Sequence, residues 1–278
     1  MGLRIATNVA ALNAGKNLYS VGIKQNTSMA RLSSGYRINQ ASDDAAGLAI
    51  SESLKAQIRG IKQANRNAND GISLVQVAEG GLGEVANMLV RLRELGVQAS
   101  SDTISDKERV LTNVEYQQLK EEIQRIAVST KFNGTPLLDG QGGVLDIQIG
   151  NQNDPFMDRI SFRADQSNAT LDNLQITNSG VDNKLNAQQS LAQVDGAINT
   201  INAMRAGLGA FQNRLQSTSA NLLTTEENYA AANSRIRDTD VAAESTELGK
   251  NNILMQAATS VLGQANTQAQ LALKLLQG

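Results

Sequence analysis

The chain carries neither histidine nor cysteine. That removes the side chains most often used for proton transfer near neutral pH, for soft-metal ligation, for thiolate nucleophiles and for disulfides. Carboxylates remain, but the available pairs, Asp43 with Asp44 and Glu121 with Glu122, are sequence neighbours and do not share one face of a helix. They read as helix caps and solvated faces. Gly80, Gly81 and Gly83 form a glycine cluster, yet no strand precedes them and no lysine follows in phosphate-loop spacing. They are expected to be close-packing points on a helix. The composition therefore points away from an enzyme, and no cofactor or metal is expected.

Lys plus Arg number 25 against 27 for Asp plus Glu, so the chain offers no overall basic footprint for nucleic acid, and aromatics at 3% leave few stacking platforms. The charges are unevenly placed. Residues 1–42 hold Arg4, Lys16, Lys24, Arg31 and Arg37 with no acid before the aspartates at 43 and 44, whereas Asp238, Asp240, Glu244 and Glu247 cluster near the other end. Electrostatic attraction between the two terminal segments is one expectation; a mildly basic solvated face is the other.

Long helices must position these groups. Val194, Ile201, Leu208, Leu215, Leu222, Tyr229 and Ile236 recur every seven residues with no proline between them. A helix over 184–236 would run roughly 78 Å at about 1.5 Å per residue, longer than the about 48 Å of a compact chain this size. A second series, Leu54, Ile61, Ala68, Val75, Leu82 and Leu89, offers a matching stripe. A third, Val241, Leu248, Met255, Leu262, Ala269 and Leu276, shares its helix with another stripe through Leu254, Ala258, Val261, Ala265, Ala272 and Leu275. The first helix, over 3–34, likewise carries Ile5, Val9, Leu12, Tyr19 and Ile23 on one stripe and Leu18, Val21 and Leu32 on another. A helix apolar on more than one side needs more than one neighbour.

Gly35 to Ala41 lacks helical period, and Ser42 is expected to cap a second helix running roughly over 43–99. Ser100 to Ser105 breaks it, and Leu111, Tyr116, Leu119, Ile123 and Ile126 define a third. Near the two prolines, Pro136 and Pro155, the period changes to two: Leu145, Ile147 and Ile149, then Ile160 and Phe162, predict a β-hairpin within 141–165. The fold class is therefore mainly α: a long antiparallel helical coiled-coil rod with a small β-hairpin element and paired N- and C-terminal helices. Residues 251–273 are uncharged but include about ten polar side chains, which argues against a membrane span. The first residues lack the apolar core and cleavage site of a secretory signal, so any export is expected to proceed without a cleaved leader of that kind.

Several blocks carry a resemblance. RLSSGYRINQASDDAAGLAISESLKAQIRG at 31–60 resembles the signature of bacterial flagellins. SRIRDTDVAAE at 234–244 and NNILMQAATSVLGQANTQAQLALKLL at 251–276 resemble that family's C-terminal region, and KFNGTPLLDG at 131–140 its central turn. The resemblance implies a secreted structural subunit, exported unfolded and assembled into an extracellular flagellar filament that serves motility. It implies an inner domain of residues 1–42 with 238–278, a rod domain of 43–237, and no outer variable domains. It implies as partners further copies of the chain, an export chaperone, a filament cap and hook–filament junction proteins, and a host Toll-like receptor. On this reading Ile5, Val9, Leu12, Ile23, Leu248, Met255, Leu262 and Leu276 are expected filament-core contacts. Arg91, Leu95 and Glu115 match positions of the family's receptor-facing surface, whereas Val90 and Gly96 depart from its common pattern. A hook–filament junction protein and a secreted coiled-coil effector or adhesin are the alternatives.

Overall fold

The computed structural model describes residues 7–277, with side chains through residue 268. The chain divides into two compact units, Met1–Ala56 with Asn228–Gly278, and Gln57–Glu227. Five helices supply almost all regular structure: α1 (Val9–Ser34), α2 (Ala45–Ser100), α3 (Asp106–Ser129), α4 (Lys184–Arg237) and α5 (Val241–Gln277).

In the terminal unit α1 and α5 lie antiparallel. Asn8 Nδ2 donates to the Ala265 carbonyl at 2.9 Å, Gln25 Nε2 to Asn252 Oδ1 at 2.6 Å, and Arg31 pairs with Glu244 at 3.6 Å. Asn8 also caps α1 by accepting from the Ala11 N–H, while Gly35 ends it in the left-handed conformation, φ 74°. Three chain segments meet where α1 ends. Tyr36 pairs with Asp238 as an isolated antiparallel bridge, the Arg37 N–H donates to the Arg237 carbonyl, and the Thr239 N–H to that of Gly35. The start of α2 is capped by Asp44, whose Oδ1 accepts from the Gly47 N–H, and not by the expected Ser42. The neighbouring Asp43 instead accepts from the N–H groups of Asn39 and Gln40 and folds the preceding turn; these bonds lower its carboxyl pKa.

The terminal unit also takes in the start of α2 and the end of α4, which hydrogen-bond to the terminal segments and to each other. Arg237 is the fastener: its guanidinium pairs with Glu52 and stacks 4.7 Å over the Tyr36 ring.

The second unit holds the large core. Ala68, Val75, Leu82 and Leu89 of α2 are fully buried, as are Ile201 and Leu215 of α4, with Val194 and Leu208 at 3% exposure or less. The seven-residue repeats thus face inward through this unit, whereas Leu222, Tyr229 and Ile236, further along the same repeat, are only half-buried. Helix α3 adds Tyr116 and Ile123. It begins with a capping box, in which Ser105 and Glu108 satisfy one another's backbone N–H groups.

Two hairpins follow. The first, β1 (Lys131–Phe132) with β2 (Thr135–Pro136), turns at Asn133 and Gly134, φ 48° and 83°. The Asn-Gly dipeptide is the sequence signal for such a turn, though the repeat pattern alone does not reveal it. The second pairs β3 (Val144–Gln148) with β4 (Arg159–Arg163), placing Leu145 opposite Phe162 and Ile147 opposite Ile160, as the alternation predicts. Phe162 meets Phe211 of α4 edge-on at 5.5 Å.

Of the three clustered glycines only Gly81 is a close-packing point: a Cβ there would lie 2.8 Å from Leu138 and 2.9 Å from Thr130, whereas at Gly80 and Gly83 it would meet nothing within 4 Å.

The polar stretch between β4 and α4 has little periodic structure but is held along α3. Lys120 Nζ donates to the carbonyls of Thr177 and Ser179, each at 2.8 Å, and the Tyr116 hydroxyl to Ser179 Oγ at 3.0 Å. Asn113 and Gln124 accept from the N–H groups of Val181 and Leu171.

Candidate assembly surfaces on the terminal helices

Where α1 faces α5 its most buried side chains are small, and its larger ones are only half-covered. Ala14 and Ser28 are buried, and Ala11, Leu18, Val21 and Gln25 are half-buried. Opposite them on α5, Asn251 and Ala265 are buried, and Leu248, Met255, Ala258 and Leu262 half-buried. Met255 reaches to within 3.6 Å of where a Cβ on Gly22 would stand.

Other large side chains point elsewhere. Val9, Leu12, Tyr19, Ile23 and Met29 of α1 are 50–74% exposed, and Val241, Ile253, Leu254 and Val261 of α5 are 42–68% exposed. Single exposed apolar residues are ordinary, but rows of them along two paired helices mark an interaction surface. The pair thus holds together through one narrow face of each helix and leaves broader apolar faces uncovered.

The filament-contact expectation splits accordingly. Val9, Leu12 and Ile23 are outward-facing, whereas Leu248, Met255 and Leu262 belong to the face half-covered within the chain. Ile5 and the side chain of Leu276 lie outside the described residues. The expected charge attraction between the ends reduces to one direct pair, Arg31 with Glu244, among the described residues. Arg37 instead donates to the Ile236 carbonyl, and Glu247 pairs with Lys250 one turn away. Composition did not reveal the buried Asn251 and Ser28, because a polar residue on a helix gives no sign of which side it faces.

The bacterial flagellin N-terminal helical region matches residues 5–142, and the bacterial flagellin C-terminal helical region matches residues 191–276. The chain belongs to the bacterial flagellin family. Flagellin from Halalkalibacterium halodurans is 43% identical over 271 residues, covering 97% of this chain and 98% of that one. Flagellin from Bacillus subtilis is 43% identical over 304 residues, covering 99% of this chain and all of that one. The crystal structure of Bacillus cereus flagellin superposes with a TM-score of 0.51 at 32% identity, over 60% of this chain and 94% of that one. As a flagellin, the chain is a structural subunit of the flagellar filament that serves motility.

This flagellin places the receptor-matching residues in the second unit, in two different environments. Arg91 and Glu115 are both half-exposed and joined: Arg91 Nη2 lies 2.8 Å and Nε 2.9 Å from Glu115 Oε1, and Nη1 lies 2.9 Å from Glu94. Hydrogen bonds from Glu94 and then Glu115 raise the guanidinium pKa further, so the group stays charged at every working pH. Leu95 departs from the expectation of a surface position: it is 2% exposed and sits in the core cluster with Leu92, Ala99 and Tyr116. The surface beside Arg91 is formed instead by the half-exposed Val90 and by Glu94.

Proposed function

We propose that this subunit polymerises into an extracellular filament through the uncovered apolar faces of α1 and α5. The support is the disposition of their side chains: Leu12, Tyr19, Ile253 and Val261 stand largely exposed, while the fully buried positions of the α1–α5 contact are alanine, serine and asparagine and its larger members, such as Leu18 and Met255, are only half-covered. Burying a Leu, Ile or Val side chain contributes roughly 1.5–3 kcal/mol, so neighbouring copies gain much of the burial that the isolated subunit lacks. Different patches on the two helices suit a heterologous contact, which repeats without closing and yields a filament in place of a ring.

The terminal helices then gain order as they gain neighbours, since ordering a residue costs about 1–2 kcal/mol of backbone entropy that the monomer offsets only in part. The same logic makes an export chaperone a partner that covers an uncovered helix before assembly, and the filament cap and hook–filament junction proteins partners that present a first complementary face. The half-exposed Arg91–Glu115 pair remains the surface for a host Toll-like receptor, with Leu95 supporting it from beneath.

Electron microscopy of purified subunit seeded with short filament fragments, beside a version lacking residues 1–40, tests this reading. Long filaments from the full chain and none from the shortened one are expected. Filaments from the shortened chain, or only discrete plugs from the full one, would overturn it.

A further inference from the structure

The turn joining β3 to β4 presents the most exposed large apolar side chain of the second unit, with a second beside it. Phe156 is 91% exposed and Met157 70%. They are held there by a fixed turn. Asp154 Oδ1 accepts from the N–H groups of Phe156 at 2.8 Å and Met157 at 3.1 Å, and Asp158 Oδ2 accepts from that of Asp154 at 3.0 Å. An aromatic residue on a pinned turn is pre-organised for insertion, because little side-chain and backbone freedom remains to be lost.

The same unit carries an open groove of about 430 Å³ where β4 faces α4. Its apolar lining includes Phe162, Met204, Leu208 and Phe211, with Gly207 beside them and Arg163 as its charged lining residue. Arg163 makes no ion pair among the described residues. The turn over residues 149–158 has the opposite character, its charges being Asp154 and Asp158. Tip and groove cannot meet within one chain. The five paired residues of β4 hold them apart at about 3.4 Å per residue.

We propose that the Phe156–Met157 tip of one subunit seats in the Phe162–Phe211 groove of a neighbouring copy in the filament, with Asp154 and Asp158 facing Arg163. The contact is heterologous, as an open-ended polymer needs, and it joins an acidic apolar knob to a basic-rimmed apolar hole. It rests on the filament reading and adds a contact that the terminal helices do not supply.

Because the chain has no cysteine, the contact can be read by cross-linking. One chain carries Phe156→Cys and a second, differently tagged, carries Gly207→Cys, a position where an added Cβ meets nothing within 4 Å. Oxidised filaments co-assembled from both should yield disulfide-linked heterodimers, absent from dispersed subunits and from filaments of either chain alone. Filaments that form normally yet give no heterodimer overturn the contact while leaving the filament reading standing, as do homodimers of the Phe156→Cys chain alone. Phe156→Ala should raise the monomer concentration needed for growth about tenfold, and Gly207→Leu, which fills the groove, should do the same; unchanged growth in both would also count against it.

Discussion

The two units solve opposite problems with the same kind of helix. In the second unit, large side chains on α2, α3 and α4 face one another and are sealed: Leu82, Leu89, Leu92, Tyr116, Ile123 and Ile201 are fully buried. Among the described residues of the terminal unit the buried positions are Ala14, Ser28, Asn251 and Ala265 together with Ile38, Gly47 and Ser51, while Leu12, Tyr19 and Ile253 stand in solvent. One region seals a core of large side chains; the other buries nothing larger than Ile38 among its described residues. Apolar content alone does not distinguish them, since both carry heptad stripes. What separates them is whether the large residues lie on the face that a partner in the same chain covers.

The sharpest way to break this comparison is to truncate one large residue in each unit. Leu89→Ala should destabilise the subunit by about 2–5 kcal/mol, read as a lower urea midpoint, because it leaves a cavity in a sealed core. Leu12→Ala, at a residue 65% exposed, should leave the subunit's midpoint unchanged yet suppress filament growth. If both substitutions shift the monomer's midpoint alike, the two units are not differently built.

A smaller effect separates backbone fastening from packing. Arg109 is 6% exposed although charged, and its guanidinium donates to the carbonyls of Ala99 and Ser101 while pairing with Asp106 at 2.6 Å. It therefore satisfies carbonyls that the end of α2 would otherwise leave without partners. Arg109→Ala should cost about 2–3 kcal/mol in urea unfolding, and Arg109→Lys should recover only part of it, since an ammonium cannot fork to both carbonyls. Ser105→Ala, which removes one side of the capping box of α3, should cost about 1 kcal/mol by the same measurement.

How much of this was legible in the sequence follows from the same contrast. The sealed core was readable because Val75, Leu82, Leu89, Val194, Ile201 and Leu208 obey one period, and period dictates face. The β3–β4 hairpin was readable because its alternation is regular. Leu95 lies one residue before Gly96, the next position of the α2 repeat, so the repeat did not name it, and the family resemblance drew it to the surface. The face that α1 turns to α5 was legible only in part: of the two expected apolar stripes, the one through Leu18, Val21 and Leu32 is half-buried, but the sequence did not single it out. Its fully buried residues, Ala14 and Ser28, are less apolar than the outward Leu12 and Tyr19, so apolar content alone does not choose between the two stripes. Nor could sequence separation show that Glu52, Tyr36 and Arg237 converge.

That convergence supplies the finest test. The Arg237 guanidinium hydrogen-bonds Glu52, and this bond, ahead of the nearby charge of Lys55, lowers the carboxyl pKa below its ordinary value of 4.5. A carboxyl whose folded pKa is depressed binds its proton more weakly in the folded state than in the unfolded one. Its stabilising contribution is therefore complete above the unfolded value and is lost as pH falls through the folded one. Glu52→Gln should narrow the difference in thermal midpoint between about pH 6 and about pH 3, and salt should narrow it in the parent chain, because the pair is solvent-exposed and screened. Arg237→Lys should keep the charge but lose the stacking over Tyr36, leaving the acid dependence partly intact while lowering the midpoint slightly at every pH. An acid dependence the same in Glu52→Gln as in the parent would assign it to the other depressed carboxyls, Asp43, Asp102, Glu108 and Glu122, of which Asp43 alone lies in the terminal unit. Should Asp43→Asn leave the acid dependence unchanged too, the weak point in acid is the second unit, and the contrast between the two units would hold for packing but not for charge.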